Sequence, residues 1–359
     1  MSASKGTSGD RMQKARGDGT GSRSIAKSVS IVIPTIGSEA RLRLSLPSAV
    51  KEVEARSIAA DEILIVDDSG LDRASGTVPE VLGAEDGDRR AKVRILSTGD
   101  NLGFSAAVRK GMQEARNSLV LVLHDDVALM PGALDELTKA FLQPGSVAPT
   151  PEAVFAASPR ITHAGAGPEV PPETTGTLTL VDDRLTIFEG QPAVEPESGE
   201  SADAPRLASF LPSSAFMMLR QEFLDSGGFD SLFAPFSWED VDFSLSARRR
   251  GRLLIEVPKA KAIHGLGDAP AADASFQTTD AELASRVIER NRLLLRWKHL
   301  TTRADATEHL VSLWRTVLEA GLAGDRETLE HVCLAFEKLG AVTASRAKVA
   351  GTPAVSMRG

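Results

Sequence analysis

Residues Ser118–Leu134 read "SLVLVLHDDVALMPGAL", and this stretch decides the fold class. Leu119 to Leu123 form an unbroken apolar run of strand length. A run without polar alternation belongs to a strand covered on both faces, as in a parallel sheet. It stops abruptly at His124, Asp125 and Asp126. Adjacent carboxylates at the end of a buried strand repel each other and lose hydration, so something must compensate them. Water, a helix N-terminus and a metal cation are the candidates.

Working outward, "VSIVIP" from Val29, "EILIVDDSG" from Glu62 and "VRILSTG" from Val93 read as three more buried strands. Helical faces lie between them. Leu42, Leu46, Val50 and Val53 share one, in a helix that Pro47 should begin or kink. Phe104, Val108, Gly111 and Ala115 make a second, and Leu134, Leu137 and Phe141 a third, opening just after Pro131. Strands alternating with helices imply an α/β sheet whose ligand crevice lies at the carboxyl ends of its strands. In a parallel sheet Pro34-Thr35, Asp67-Asp68-Ser69-Gly70, Gly99-Asp100-Asn101 and His124-Asp125-Asp126 converge there.

The totals narrow the class further. The 359 residues suffice for one large domain or two ordinary ones. Hydrophobic residues at 42% and charged residues at 25% are the balance of a globular protein. A formal net charge of -8 argues against a general nucleic-acid binder. The single cysteine, Cys333, excludes an internal disulfide and suits a reducing compartment. No apolar run reaches the ~18 to 20 residues a bilayer requires, and the N-terminus lacks the apolar segment of a secretory signal. A cytoplasmic protein is expected.

Five regions follow. Residues 1–27, rich in Gly, Ser, Lys and Arg, read as a disordered basic arm. Residues 28–142 form the first half of the α/β unit. Residues 143–206, dominated by Pro, Gly, Glu and Thr, read as a mobile, partly β insertion with little catalytic content. Within it, "TLTLVDDRLTIFEG" reads as a hairpin turning at Asp182-Asp183. Order resumes over 207–300, and 301–359 is a helical extension with a flexible end. Three closing helices are expected, beginning near Asp280, Arg303 and Asp325.

The chemistry-bearing residues have plain readings beside functional ones. Asp67 and Asp68 end a strand as a site reading a pyrimidine base and ribose requires, yet Asp-Ser-Gly is also an ordinary turn. "GDNLGFSAAVRKG" lacks the spacing of a dinucleotide-binding glycine loop, and Asn101 is expected to cap the helix that follows. "WEDVDFSLSARRRG" places Glu239, Asp240 and Asp242 at a helix start and Arg248 to Arg250 at its end, which the macrodipole favours by itself. Trp238 suits either a core position or a platform under a sugar ring. His264 closes another strand-like run and, with Asp126, offers the mixed imidazole and carboxylate ligation that suits Mn²⁺ or Mg²⁺ beside a diphosphate.

The order of these pieces resembles the inverting family-2 glycosyltransferases. The matching segments are "SIVIPT", "ILIVDDSG", "NLGFSAAVRKG", "LVLHDDVALMPGAL", "SSAFMMLRQEFLDSGGFD", "FSWEDVDFSLSARRRG", "VPKAKAIHG" and "ERNRLLLRWKH". They run from about Val29 to Leu300, with 143–206 matching poorly, and are similar to rhamnosyltransferase-like and galactofuranosyltransferase-like members. The resemblance implies a GT-A (Rossmann-like) fold, a mixed, mainly parallel sheet flanked by helices. It implies a nucleotide-sugar donor, UDP- or dTDP-linked, and a glycan or polyprenyl-linked acceptor.

By the same resemblance, Pro34, Thr35, Asp67, Asp68, Asn101, Asp125 and Asp126 line the donor site, with Asp67 reading the nucleotide. Asp126 and His264 hold a divalent metal, Mn²⁺ or Mg²⁺. Asp240 is the general base, and Ser214, Trp238 and Glu239 face the acceptor. Asn291 and Arg292 match an Arg-Asn-Arg-type segment near the active site. Two positions depart from the family: His124 stands where the first Asp of D-x-D is usual, and Arg109 where many relatives carry Asn. They support an alternative, a degenerate module that binds a nucleotide sugar or glycan without turnover. A nucleotidyltransferase ranks last, because "PTIGSEARLRL" has one glycine where a Gly-rich loop is needed. A lipid-linked acceptor implies peripheral association with the inner face of a membrane, where Arg248 to Arg252 could meet anionic headgroups. The oligomeric state is left open.

Overall fold

The computed structural model describes residues 27–83, 92–150, 153–167, 170, 172–173, 177–181, 184–188, 203–265, 281–300 and 302–349. The basic arm before Lys27 and the Asp182-Asp183 turn lie outside the described residues.

Strands β1 (Val29–Thr35), β2 (Glu62–Asp67), β3 (Val93–Ser97) and β4 (Leu119–Leu123) alternate with helices α1 (Glu39–Arg56), α2 (Ala74–Leu82) and α3 (Phe104–Glu114). After β4 come β5 (Val127–Leu129), α4 (Ala133–Leu142), β6 (Val154–His163), the hairpin β7 (Thr177–Val181) and β8 (Arg184–Phe188), and β9 (Arg206–Leu207). Then follow β10 (Ala215–Leu219), α5 (Arg220–Ser226), α6 (Glu239–Arg249) and β11 (Leu253–His264). Helices α7 (Ala281–His299), α8 (Arg303–Ala323), α9 (Arg326–Glu337) and α10 (Leu339–Val349) close the described chain, one more than the sequence indicated.

Among the described residues the main sheet has nine strands, in the order β3-β2-β1-β4-β10-β6-β11-β5, with β9 beside β11. β3, β2, β1 and β4 run parallel, so the four polar strand ends do meet at one edge. β10 reverses against β4 and β6, and β5 reverses against β11. The sheet is therefore mixed and mainly parallel, as expected. The strand alternation divides the core. Ile31 and Ile33 pack toward Leu42, Leu46, Leu137 and Phe141, whereas Val32 packs toward Phe104, Val108 and Met112. A Cβ on Gly111 would lie 2.3 Å from Val32 Cγ1, so α3 rests directly on β1. A third core joins Phe233, Val241 and Leu245 to Leu294, Leu295 and Trp297 of α7.

Two further findings differ from the sequence reading. Helix α1 begins at Glu39 and continues through Pro47, because the buried face on both sides of the proline outweighs the lost amide bond. Residues 143–206 are not all insertion, since β6 is an interior strand of the main sheet, between β10 and β11. Its sequence, "VFAASPRITH", carries Pro159 and few branched apolar residues, which hid it.

Candidate functional site

Asp125 is fully buried, and its Oδ2 accepts a 2.7 Å hydrogen bond from the Thr35 hydroxyl. Arg41, in the first turns of α1, donates Nη1 to Asp125 Oδ1 at 3.1 Å and sets Nη2 3.0 Å from Asp126 Oδ2. One guanidinium therefore bridges both carboxylates, the fork geometry that lysine cannot supply. Burial still pushes the Asp125 carboxyl up to about 6, with the Asp126 charge adding to it and Arg41 and Thr35 opposing. Burial also works on Asp126, but contact with His264 and the charges of His124, His264 and Arg41 hold its carboxyl below the usual range. Sequence reading missed Arg41, because nothing local distinguishes it from a solvated helix charge.

The sheet register delivers His264. β11 pairs antiparallel with β5, His264 opposite Val127, and the Gly265 amide donates to Asp126 O at 3.1 Å. His264 Nε2 then lies 3.3 Å from Asp126 Oδ1, a buried oxygen outside hydrogen-bond alignment. Its Nδ1 bonds Glu173 Oε1, and Glu173 Oε2 accepts from Ser214 Oγ at 2.7 Å. His163 Nε2 stands 3.5 Å from the same glutamate. Burial opposes charge on His264, yet its contacts with the Asp126 and Glu173 carboxylates push it up to about 10. Burial likewise works against the Glu173 charge, and His264, Ser214 and His163 outweigh it, lowering its pKa. Glu173 and His163 come from the stretch expected to hold little catalytic content. Parallel pairing of β6 with β11 sets His163 beside His264, and the Glu173 amide donates to Ile161 O of β6 at 3.0 Å.

The donor set fits a divalent cation. His124, Asp126 and His264 offer ligand atoms within 4.8 Å of one another, as do His163, Glu173 and His264. The buried Asp126 Oδ1, faced by an imidazole whose other nitrogen is held by a carboxylate, is the arrangement metal-binding histidines adopt.

The other aspartate pair is used differently. Asp67 accepts from the amides of Ser69 and Ala74 at 2.8 and 2.7 Å. Asp68 accepts from those of Leu102 and Gly103 at 3.0 and 2.7 Å. Burial pushes the Asp68 carboxyl up, and these amides oppose it. Asp67 thus makes the local turn bond to Ser69, whereas Asp68 reaches across to the entrance of α3. Asn101 does not cap α3 as expected: it is exposed, and Asp68 takes the amides at that entrance instead. Arg109 donates to Gly227 O.

Asp240 stands in the first turn of α6. Its Oδ2 accepts from the Ser213 amide at 3.1 Å and its Oδ1 from Val241 at 2.7 Å. Ser213 and Ser214 therefore join the two halves, the first to Asp240 and the second to Glu173. Ser214 O also accepts from the His124 amide at 2.8 Å. Glu239 is buried beside Asp240. Trp238 takes the core reading: its indole donates to Ile288 O at 3.1 Å, and it packs on the third core. Ser237 and Trp238 have φ of 74° and 71°, a left-handed conformation that costs about 1–3 kcal/mol each. Asn291 holds that loop, donating to the carbonyls of Phe233, Phe236 and Ser237 at 2.6, 2.7 and 3.0 Å. Arg292 pairs with Glu289. Lys298 and His299 both reach Asp242 at 2.8 Å, tying α6 to α7.

The arginine run at the end of α6 is folded onto the protein. Arg248 donates to Ser209 O at 3.2 Å, Arg249 is buried, and Arg252 lies 3.0 Å from Glu222. Among the described residues no helix is long and apolar enough to cross a membrane.

Comparison with known proteins gives one family match and a set of relatives. Residues 30–190 match the model "Glycosyl transferase family 2". Over 133 residues the chain is 31% identical to a dolichol-phosphate mannosyltransferase of Mycosarcoma maydis, covering 36% of this chain and 44% of that protein. Over 240 residues it is 28% identical to an N-acetylglucosaminyl-diphospho-decaprenol L-rhamnosyltransferase of Mycobacterium tuberculosis, covering 58% of this chain and 72% of that protein. In fold it is similar to GalNAc-T7, solved with UDP, GalNAc and Mn²⁺, at a TM-score of 0.56 and 14% identity. That likeness covers 75% of this chain and 47% of the other. The chain thus spans less than half of the mannosyltransferase and of GalNAc-T7.

Proposed function

We propose that the chain, whose residues 30–190 match the family-2 glycosyltransferase model and whose fold is similar to that of GalNAc-T7, transfers a sugar from UDP- or dTDP-sugar to a glycan or polyprenyl-linked acceptor, with inversion. The observation that supports this reading is the Ser213-Ser214 junction: the Ser213 amide donates to Asp240, and the Ser214 hydroxyl donates to Glu173, which bonds His264.

Asp126 and His264 would hold a divalent Mn²⁺ or Mg²⁺, with His124 at hand. That cation supplies charge neutralisation for the departing nucleoside diphosphate. Thr35, Arg41 and Asp125 keep Asp126 in place. Asp67 and Asp68 set the loops on the nucleotide side, and each carboxylate oxygen keeps a lone pair for a base N–H or ribose hydroxyl. Pro34 and Asn101 border the same crevice.

Asp240 takes the proton from an acceptor hydroxyl as its oxygen forms a bond to the anomeric carbon. The bond from that carbon to the diphosphate oxygen breaks, and the electron pair leaves with the nucleoside diphosphate. One displacement inverts the centre and needs no covalent nucleophile. The amides of Ser213 and Val241 aim the carboxylate, while Glu239 shapes the acceptor side. A polyprenyl-linked acceptor would bring a cytoplasmic enzyme to the membrane face.

The test is transfer by Asp240→Asn. General-base loss should lower turnover about 10²- to 10⁴-fold while donor binding is kept. Unchanged turnover would remove Asp240 from the mechanism, and no turnover by the wild type with any donor would leave a binding module.

A further inference from the structure

We infer that Glu173 is a positioning residue for the metal site: it holds His264 in the tautomer and orientation that present Nε2 beside Asp126. The inference rests on the proposed use of Asp126 and His264 as metal ligands.

The geometry is specific. Glu173 Oε1 bonds Nδ1 of His264, while the other ring nitrogen lies 3.3 Å from Asp126 Oδ1. A carboxylate on Nδ1 keeps the N–H there, so it is the Nε2 proton that a cation would displace, and the Nε2 lone pair that would then face it. Glu173 is itself fixed at its second oxygen by the Ser214 hydroxyl at 2.7 Å. Its side chain is 14% exposed and that of His264 16%, so water does not readily take its place. The His163 ring stacks on His264 with centroids 5.8 Å apart, closing the far face. Glu173 and Ser214 thereby connect the metal cluster to the residue next to Ser213, whose amide aims Asp240. A candidate acceptor contact, Ser214, acquires a second task in this arrangement.

A rival use of the same atoms is direct ligation, since His163, Glu173 and His264 also form a compact donor group. Two substitutions separate these uses. Glutamine retains an oxygen that accepts from Nδ1 but is a poor cation ligand, whereas alanine removes both functions.

The experiment is Mn²⁺ affinity without donor, by calorimetry and by the electron paramagnetic resonance signal of free Mn²⁺. It compares wild type, Glu173→Ala and Glu173→Gln, with circular dichroism confirming the fold. A positioning role predicts a 10- to 100-fold weaker Kd for Glu173→Ala and at most about threefold for Glu173→Gln. Equal affinity in Glu173→Ala overturns the inference while leaving the metal reading intact. Equal loss in both variants also overturns it, in favour of direct ligation. No Mn²⁺ binding by the wild type overturns the metal reading itself, and this inference with it.

Discussion

Two aspartate pairs end two parallel strands of one sheet, and they have opposite fates. Asp67 and Asp68, at the end of β2, hand four carboxylate oxygens to the backbone amides of Ser69, Ala74, Leu102 and Gly103. Asp125 and Asp126, at the end of β4, face side chains instead: Thr35, Arg41 and His264. Amide partners belong to the fold and cannot be exchanged without moving a loop. Arginine and histidine partners can shift when a substrate or cation arrives. A carboxylate satisfied by backbone therefore reads as architecture first, and one satisfied by mobile charge reads as chemistry first.

Substitutions at the two pairs should accordingly be felt in different measurements. The largest effect is expected for Asp126→Ala in the transfer assay, a loss of about 10²- to 10³-fold, typical of removing one electrostatic stabiliser. Its melting temperature should move less than that of the β2 variants. Asp68→Ala comes next. It strips the amides of Leu102 and Gly103 of their acceptor and should cost about 1–3 kcal/mol in denaturant unfolding. A neutral Asp68→Ala would erase the distinction between the pairs. The smallest effect is expected at Arg109, whose contact with Gly227 O is exposed. Arg109→Ala should stay within about 0.5 kcal/mol in the same unfolding measurement and leave donor affinity unchanged. A weakened donor would instead return this helix to the site.

The β2–β4 contrast also marks what the chain reveals before it folds. Continuous apolar runs from Val29, Glu62, Val93 and Leu119 are legible because burial on both faces needs no partner's identity. His264 was legible as a histidine ending a strand. The two aspartate pairs look alike in sequence, since their partners lie far away along the chain: Leu102 is 34 residues from Asp68, and Arg41 is 84 from Asp125. Glu173 lies 91 residues from His264, and Pro159 disguised the strand whose register carries His163 there. Trp238 was ambiguous until α7 was seen to accept its indole N–H. Local pattern supplies the strands and their polar ends. Long-range register alone assigns each carboxylate its partner.

The most direct test of the account is calorimetric titration of UDP- and dTDP-sugars, with and without Mn²⁺, into the wild type and Asp126→Ala. The account predicts metal-dependent binding of one nucleotide class by the wild type, lost in Asp126→Ala while the variant stays folded. Binding that ignores both the metal and the substitution would contradict it, and would make the β4 pair as architectural as the pair on β2.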